Sequence, residues 1–338
     1  MTDRIVTSPS QVPSRPRVPR ATTASGARVP TAPWTVFEPR DDGLAGRSDV
    51  LAVEEPLEVR LKWREGLTET THAPSTLSMT MRTPGHDVEL VAGMLLAEGL
   101  IRSRDEVRRI VYCLDATSDQ AQRFNVVTAE LVGPPRRTVL ERRVVTSSSC
   151  GVCGSASIDA ARLEDHPPLG SGPAVGVEML CRFPELLAAG QRGFAATGGL
   201  HGAALVDAAG DVLVLREDVG RHNAVDKVVG WALLAGRVPL PDAVLVVSGR
   251  VSFEIVQKAL QAGIPFVAAV SAATSLAARL AQEVGMTLVG FLRGGRMTIY
   301  AGPERIASGH RDDGPAHAPQ AHDTEIHGGS AGCEEAAP

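Results

Sequence analysis

Aromatic residues are scarce: seven Phe, three Trp and two Tyr make up 4% of the 338-residue chain. The core must therefore be filled by Ala, Val and Leu, which dominate the 43% hydrophobic fraction and suit the buried parallel strands of an α/β protein. Basic charge is not in surplus either. Lys and Arg number 34 against 39 Asp and Glu, a formal net charge of −5, which excludes a broadly basic nucleic-acid surface and leaves room only for a local basic pocket. No run approaches the roughly 18 apolar residues of a membrane span, and the N-terminus lacks the apolar core of a secretory signal. A soluble, cytoplasmic protein with no membrane partner is the expectation. Cysteines are five, an odd number at irregular spacing, which argues against a stapled secreted scaffold and for reduced thiols. Cys113 and Cys181 stand in apolar surroundings and read as inert core residues.

What is present divides near Cys150. Residues 1–48 are a run of Pro, Arg, Ser, Thr and Ala without apolar periodicity, and residues 304–338 are polar, with His310, His317, His322, His327 and Cys333. Both read as disordered tails. Residues 49–149 offer the strand-like runs LEVRLKW, STLSMTMRT, VRRIVYCL and RFNVVTAELV around one helix, HDVELVAGMLLAEGLI, with Leu90, Met94, Ala97 and Ile101 on one face. They predict a small α+β domain, followed by a mobile loop at 150–154. Residues 155–303 predict a layered α/β/α domain: a hairpin in AALVDAAGDVLVLRE, then a helix with Val225, Val228, Val229, Ala232 and Leu233 buried. Strands AVLVVS, FVAAVS, TLVGFL and MTIYAG then alternate with helices FEIVQKALQAG and SLAARLAQEVG, for which Ser252 and Thr274 are the expected N-caps and Gly263 and Gly285 the expected C-caps.

In an open parallel sheet, ligands bind beyond the carboxyl ends of the strands, where loops converge and helix N-termini present free N–H groups. Three such ends carry Ser248-Gly249-Arg250-Val251-Ser252, Ser271-Ala272-Ala273-Thr274-Ser275 and Phe291-Leu292-Arg293-Gly294-Gly295-Arg296. Small residues let a backbone approach a ligand, and Arg250, Arg293 and Arg296 supply planar cations suited to phosphate. A nucleotide or phosphorylated ligand is the natural occupant. Next to them in sequence, His201 and the polar run Glu217, Asp218, Arg221, His222, Asn223, Asp226 and Lys227 form a dense cluster, in which His201 and His222 are candidates for a pocket.

The stretch SSSCGVCGSAS, from Ser147 to Ser157, sets Cys150 and Cys153 two residues apart among glycines and serines. Structural zinc needs four ligands, and no second C-x-x-C or C-x-x-H appears between the tails. A zinc deaminase needs H-x-E ahead of its cysteines, whereas here the cysteines come first and His201 is followed by Gly202 and Ala203. A thioredoxin-like pair opens a helix, while this one lies in a glycine-rich loop. A glycine-rich loop favours a thiol that must reach another molecule, and a reachable thiolate can accept a sulfur atom as a persulfide, with a neighbouring thiol to assist its release; two incidental loop cysteines are the alternative.

Several long motifs in order give the chain a resemblance to the formate dehydrogenase accessory sulfurtransferase (FdhD) family. They are EEPLEVR (Glu54 to Arg60), MRTPG (Met81 to Gly85), CGVCG (Cys150 to Gly154), TGGLHGAAL (Thr197 to Leu205), EDVGRHNAVDK (Glu217 to Lys227), SGRVSFEIVQKA (Ser248 to Ala259), SAATSLA (Ser271 to Ala277) and VGFLRGGRMTIY (Val289 to Tyr300). The resemblance implies a cytidine-deaminase-like core without the deaminase zinc site, a cytoplasmic homodimer, and no bound metal. It implies a persulfide on Cys150, drawn from an L-cysteine desulfurase, whose sulfur goes to the molybdenum of bis(molybdopterin guanine dinucleotide) before formate dehydrogenase receives that cofactor. The cofactor contact carried over by position is Phe291 through Arg296, and GDP is the expected surrogate ligand. Family members often have Lys-Pro-Gly-Arg where this chain has Arg293-Gly294-Gly295-Arg296. The alternative function is a chaperone that binds and delivers the molybdenum nucleotide without sulfur chemistry.

Overall fold

The computed structural model describes residues 30–41, 43–64, 73–113, 124–137 and 166–307. Two strands come before anything the hydrophobic pattern signals. β1 (Thr31–Arg40) and β2 (Gly43–Ala52) pair antiparallel along their whole length, from Thr31 opposite Ala52 to Arg40 opposite Gly43. The expected tail over 1–48 is therefore corrected for its second part. This ribbon segregates its side chains by the two-residue period of a strand. Arg47 pairs with Glu38 at 2.5 Å and Asp49 at 3.2 Å, while Phe37 lies over Gly46 on the other face beside exposed Leu44 and Val50.

A four-stranded sheet follows in the order β4-β3-β6-β5, made of β3 (Glu55–Lys62), β4 (Ser75–Arg82), β5 (Val107–Tyr112) and β6 (Val126–Leu131). Leu57, Val59 and Leu61 alternate with Glu58 and Arg60 and are fully buried, so one face of β3 rests on the core. Helix α1 (Asp87–Ala97) was expected to bury one stripe, yet every residue from Leu90 to Ala97 is buried. The reason is its position: it packs on β5 and β6 and also on a second helix, α4 (below), so no side faces water.

The second sheet has six strands. Ahead of it come β7 (Val175–Gly176), α2 (Val177–Gly190) and α3 (Arg192–Thr197). The sheet runs through β8 (His201–Asp207) and β9 (Val212–Asp218), helix α4 (Arg221–Leu234), β10 (Ala243–Val247), α5 (Phe253–Gln261), β11 (Phe266–Ala269), α6 (Ser275–Glu283), β12 (Thr287–Arg293) and β13 (Arg296–Ala301). Its order is β13-β12-β11-β10-β8-β9. Strands β10, β11 and β12 are parallel, and β8 and β13 are antiparallel to their neighbours. Finally β14 (Ile306–Ala307) pairs with β7, so the ordered chain passes the expected boundary at 303.

Both faces of this sheet are covered. Ala203, Leu205, Leu245 and Val247 face the helices α4 to α6, and Ala204, Val206, Val244 and Val246 face Leu180, Phe183 and Leu187 of α2. That two-sided burial explains why the strands read as unbroken apolar runs. The mixed α/β class is as expected, with helices on both sides of the sheet. The two expected domains do not part: Leu57, Val59 and Val127 of the first sheet share one continuous core with Leu205, Val225, Val228 and Leu245. The described residues form one compact unit. Cys113 and Cys181 are only half-buried and so are not the core residues expected.

Candidate functional site

The parallel strands β10, β11 and β12 end on one edge of the sheet, and their loops are zipped together there. Val251 N donates to Ala272 O at 3.0 Å and Thr274 N to Val251 O at 2.9 Å, joining the first loop to the second. Phe291 N donates to Ser271 O at 3.0 Å, joining the third. A Cβ at Gly290 would lie 3.0 Å from Ser271 O and 2.9 Å from Tyr300 Cε2, closer than side chains ordinarily come, so glycine eases this approach. Because β8 runs antiparallel to β10, its first residue, His201, comes to the same edge: Ser248 N donates to Gly202 O at 3.0 Å and Gly202 N to Ser248 Oγ at 2.9 Å. The helices α4, α5 and α6 all begin on this side.

Ser248, Gly249, Arg250, Ser271, Thr274, His201 and the stretch from Phe291 to Arg296 thus lie along one edge, but they differ in what they offer. Leu292 is buried in the core under α2 and gives the edge only its backbone. Thr274 Oγ1 accepts from Ala277 N at 3.3 Å as the expected N-cap. Ser252, the other expected cap, makes no side-chain cap bond; its hydroxyl lies 3.1 Å from His222 Nε2 instead. Arg250, Arg293 and Arg296 are exposed, and among the described residues none of them makes an ion pair. Arg293 lies over the Phe291 ring, 5.6 Å from its centroid. Gly294 and Gly295, at φ 57° and 71°, turn the chain so that Arg293 and Arg296 pair across the β12–β13 hairpin. Two successive positive φ values are those of a type I′ turn. The Lys-Pro-Gly-Arg form has a proline at the first of these positions, which would require a different turn, since proline holds φ near −65°.

Much of the polar run at 217–227 is structural. Glu217 accepts from Gly193 N at 2.8 Å and Phe194 N at 2.7 Å, closing the start of α3. Asp218 is fully buried and takes Lys227 Nζ at 2.7 Å, Thr83 N at 3.2 Å, Gly220 N at 2.8 Å and Asn223 Nδ2 at 3.1 Å. This clamp ties the β4–α1 turn to the start of α4. Asp226 pairs with Lys258 at 2.7 Å. A similar buried set, unseen in the sequence, holds the first sheet: Arg82 reaches Asp87 at 3.0 Å, Asn125 Oδ1 at 3.2 Å and Glu55 at 3.3 Å.

What remains at the edge is His201, Arg221, His222, Ser252 and Glu254. His222 Nε2 contacts Glu254 Oε2 at 2.8 Å, and this hydrogen bond holds the Glu254 carboxyl below its ordinary range. Burial holds the His201 imidazole below its ordinary pKa, and the charges of Arg221, His222 and Arg250 act in the same direction against Asp218. Arg221 Nε is buried with no hydrogen-bond partner. Glu254 had no signal in the sequence beyond its place in the first turn of a helix. Cys150 and Cys153, with the loop at 150–154, lie outside the described residues.

Fold and site define the class: a mixed α/β protein whose parallel strands end in an edge carrying exposed arginines suited to an anion. The family model described as FdhD/NarQ family matches residues 52–307, and the chain belongs to that family. Proteins named Sulfur carrier protein FdhD are similar over about four-fifths of the chain. The one from Streptomyces avermitilis is 51% identical over 281 residues, covering 80% of this chain and 94% of its own. The one from Mycobacterium tuberculosis is 47% identical over 272 residues, covering 78% and 94%. A crystal structure from Desulfotalea psychrophila, described as that of a candidate formate dehydrogenase accessory protein, shares the fold: the TM-score is 0.61 at 23% identity over 82% of this chain and 99% of that one. No helix among the described residues is long and apolar enough to cross a membrane.

Proposed function

We propose that this protein is a cytoplasmic sulfur carrier for formate dehydrogenase maturation. Cys150 attacks the persulfide of an L-cysteine desulfurase, taking the terminal sulfur and releasing the desulfurase thiolate, with Cys153 assisting its onward release. Attack of the Cys153 thiolate on the Cys150 sulfur closes a disulfide and supplies the two electrons that release the outer sulfur as sulfide to the molybdenum of bis(molybdopterin guanine dinucleotide), held as substrate at the strand-end edge; a cellular thiol reductant reopens the disulfide, and formate dehydrogenase then receives the cofactor. The helix-flanked sheet is read as a cytidine-deaminase-like core, a reading supported by the β8–β9 hairpin leading into alternating strands and helices. A homodimer is part of the same proposal.

The observation that carries this reading is the edge itself. Three exposed arginines without ion-pair partners among the described residues, on loops tied together by backbone hydrogen bonds, suit the pyrophosphates of a guanine dinucleotide. The name borne by the relatives, Sulfur carrier protein FdhD, supports the sulfur step. Complementation tests it: in a bacterial strain lacking its own carrier, the wild-type chain should restore formate dehydrogenase activity and Cys150→Ala should not. Full restoration by Cys150→Ala would favour cofactor delivery without sulfur chemistry.

A further inference from the structure

His201 and Arg221 flank Gly249 from two sides. A Cβ at Gly249 would lie 3.3 Å from His201 Nδ1 and 3.5 Å from both Cβ and Cδ of Arg221, so the bare glycine backbone lies between an imidazole and a guanidinium stem. The nitrogens that line this corner are unspent. Arg221 Nε is buried without a partner, and among the described residues no hydrogen bond is made by the His201 ring. A buried guanidinium nitrogen left unpaired is costly and calls for an acceptor.

The charged groups around His201 come from every neighbouring element. From β9 come Glu217, spent on the start of α3, and Asp218, whose carboxylate is taken up by Lys227, Thr83 N, Gly220 N and Asn223. From α4 come Arg221 and His222, the latter engaged with Glu254 of α5, and from the β10–α5 loop comes Arg250. The balance facing His201 is therefore cationic, which with burial disfavours a further positive charge in the ligand-free protein.

An anion reverses that balance. Resting on the proposed nucleotide reading of this edge, we propose that His201 is the proton-accepting element of a phosphate pocket formed with Arg221 and Arg250, and that a nucleoside diphosphate enters it together with a proton. The proton comes from solvent and settles on the free imidazole nitrogen. The ring then presents two N–H donors, and its charge is matched by the phosphate. The bound form holds the proton more tightly than the free form, so affinity is greatest at low pH and falls as pH rises through the value for the bound imidazole.

Calorimetric titration of the full chain with GDP between pH 7 and 9 tests this, in two non-phosphate buffers of different ionisation enthalpy. The terminal phosphate, with a second pKa of about 6, is ionised throughout this range and does not contribute. The expected result is proton uptake, with affinity falling by up to about tenfold per pH unit. His201→Gln should bind GDP with no uptake and a flat pH profile, while His166→Gln, at a histidine whose ring lies against Pro167 O and outside this edge, should retain both uptake and slope. Binding of GDP by the wild type without uptake, or uptake that persists in His201→Gln, overturns this inference alone and leaves the nucleotide site standing. Failure of GDP to bind at all overturns both.

Discussion

Gly93 and Gly230 meet where α1 crosses α4, with the two helix backbones in contact. A Cβ at Gly93 would fall 1.9 Å from Asp226 O, and one at Gly230 would fall 1.8 Å from Glu89 O. Neither obstacle is a movable side chain, so any residue but glycine forces the helices apart. The crossing joins the helix that lies on the four-stranded sheet to the one whose first turn carries Arg221 and His222 at the candidate site.

Gly93→Ala and Gly230→Ala should each lower stability by about 2–3 kcal/mol or more. Denaturant unfolding measures it. Gly133→Ala, at a position where an added Cβ meets nothing within 4 Å, should change stability by less than about 0.5 kcal/mol. Equal effects at the three positions would show that the crossing is looser than its geometry states.

A pH dependence follows from Glu89 on the same helix. Burial alone would raise its pKa, but hydrogen bonds from Arg216 at 2.6 Å and His86 at 3.3 Å, with their charges, outweigh burial and hold the carboxyl below its ordinary value of 4.5. A carboxyl depressed in the folded state contributes stability that is present above the unfolded pKa and lost as pH falls through the folded one. The stability gap between wild type and Glu89→Gln should therefore be present above about pH 5 and close as the pH falls further. Unfolding curves across that range check it. A gap unchanged down to pH 3 would mean that the Glu89 ion pair does not carry the effect.

Arg296 tests the nucleotide edge. Loss of one charge-assisted contact to phosphate in Arg296→Ala should weaken GDP binding by about one to two orders of magnitude and leave the unfolding midpoint unchanged. Titration with GDP and ADP in parallel measures the base preference as well. Equal GDP affinity in wild type and variant would remove Arg296 from the site.

How much could be read in advance depended on whether a local pattern recorded the long-range environment. The buried alternation of Leu57, Val59 and Leu61 and the apolar stripe of α4 are such records, and both elements stand where the pattern puts them. The β1–β2 ribbon left no such trace. It is exposed on both faces and holds Pro33 and Pro39, which the run of prolines made look structureless. Helix α2 is similarly hidden by Pro184 in its interior. Strand-end loops were legible because a parallel sheet brings its carboxyl ends together, which placed Ser248, Ser271 and Phe291 on one edge. Which polar groups are spent inside was not legible. The ion pair of Asp218 with Lys227, and the bonds from Glu217 to Gly193 and Phe194, depend on contacts that no spacing encodes. His201 and Arg221 stand out as site residues only once those neighbours are satisfied.

The central claim is that Cys150 carries sulfur, and intact-mass spectrometry tests it most directly. After incubation of the chain with an L-cysteine desulfurase and L-cysteine, the wild type should gain about +32 Da for one sulfur atom, removable by a thiol reductant, and Cys150→Ala should gain none. Absence of the adduct on the wild type, or an adduct of equal yield on Cys150→Ala, would contradict it.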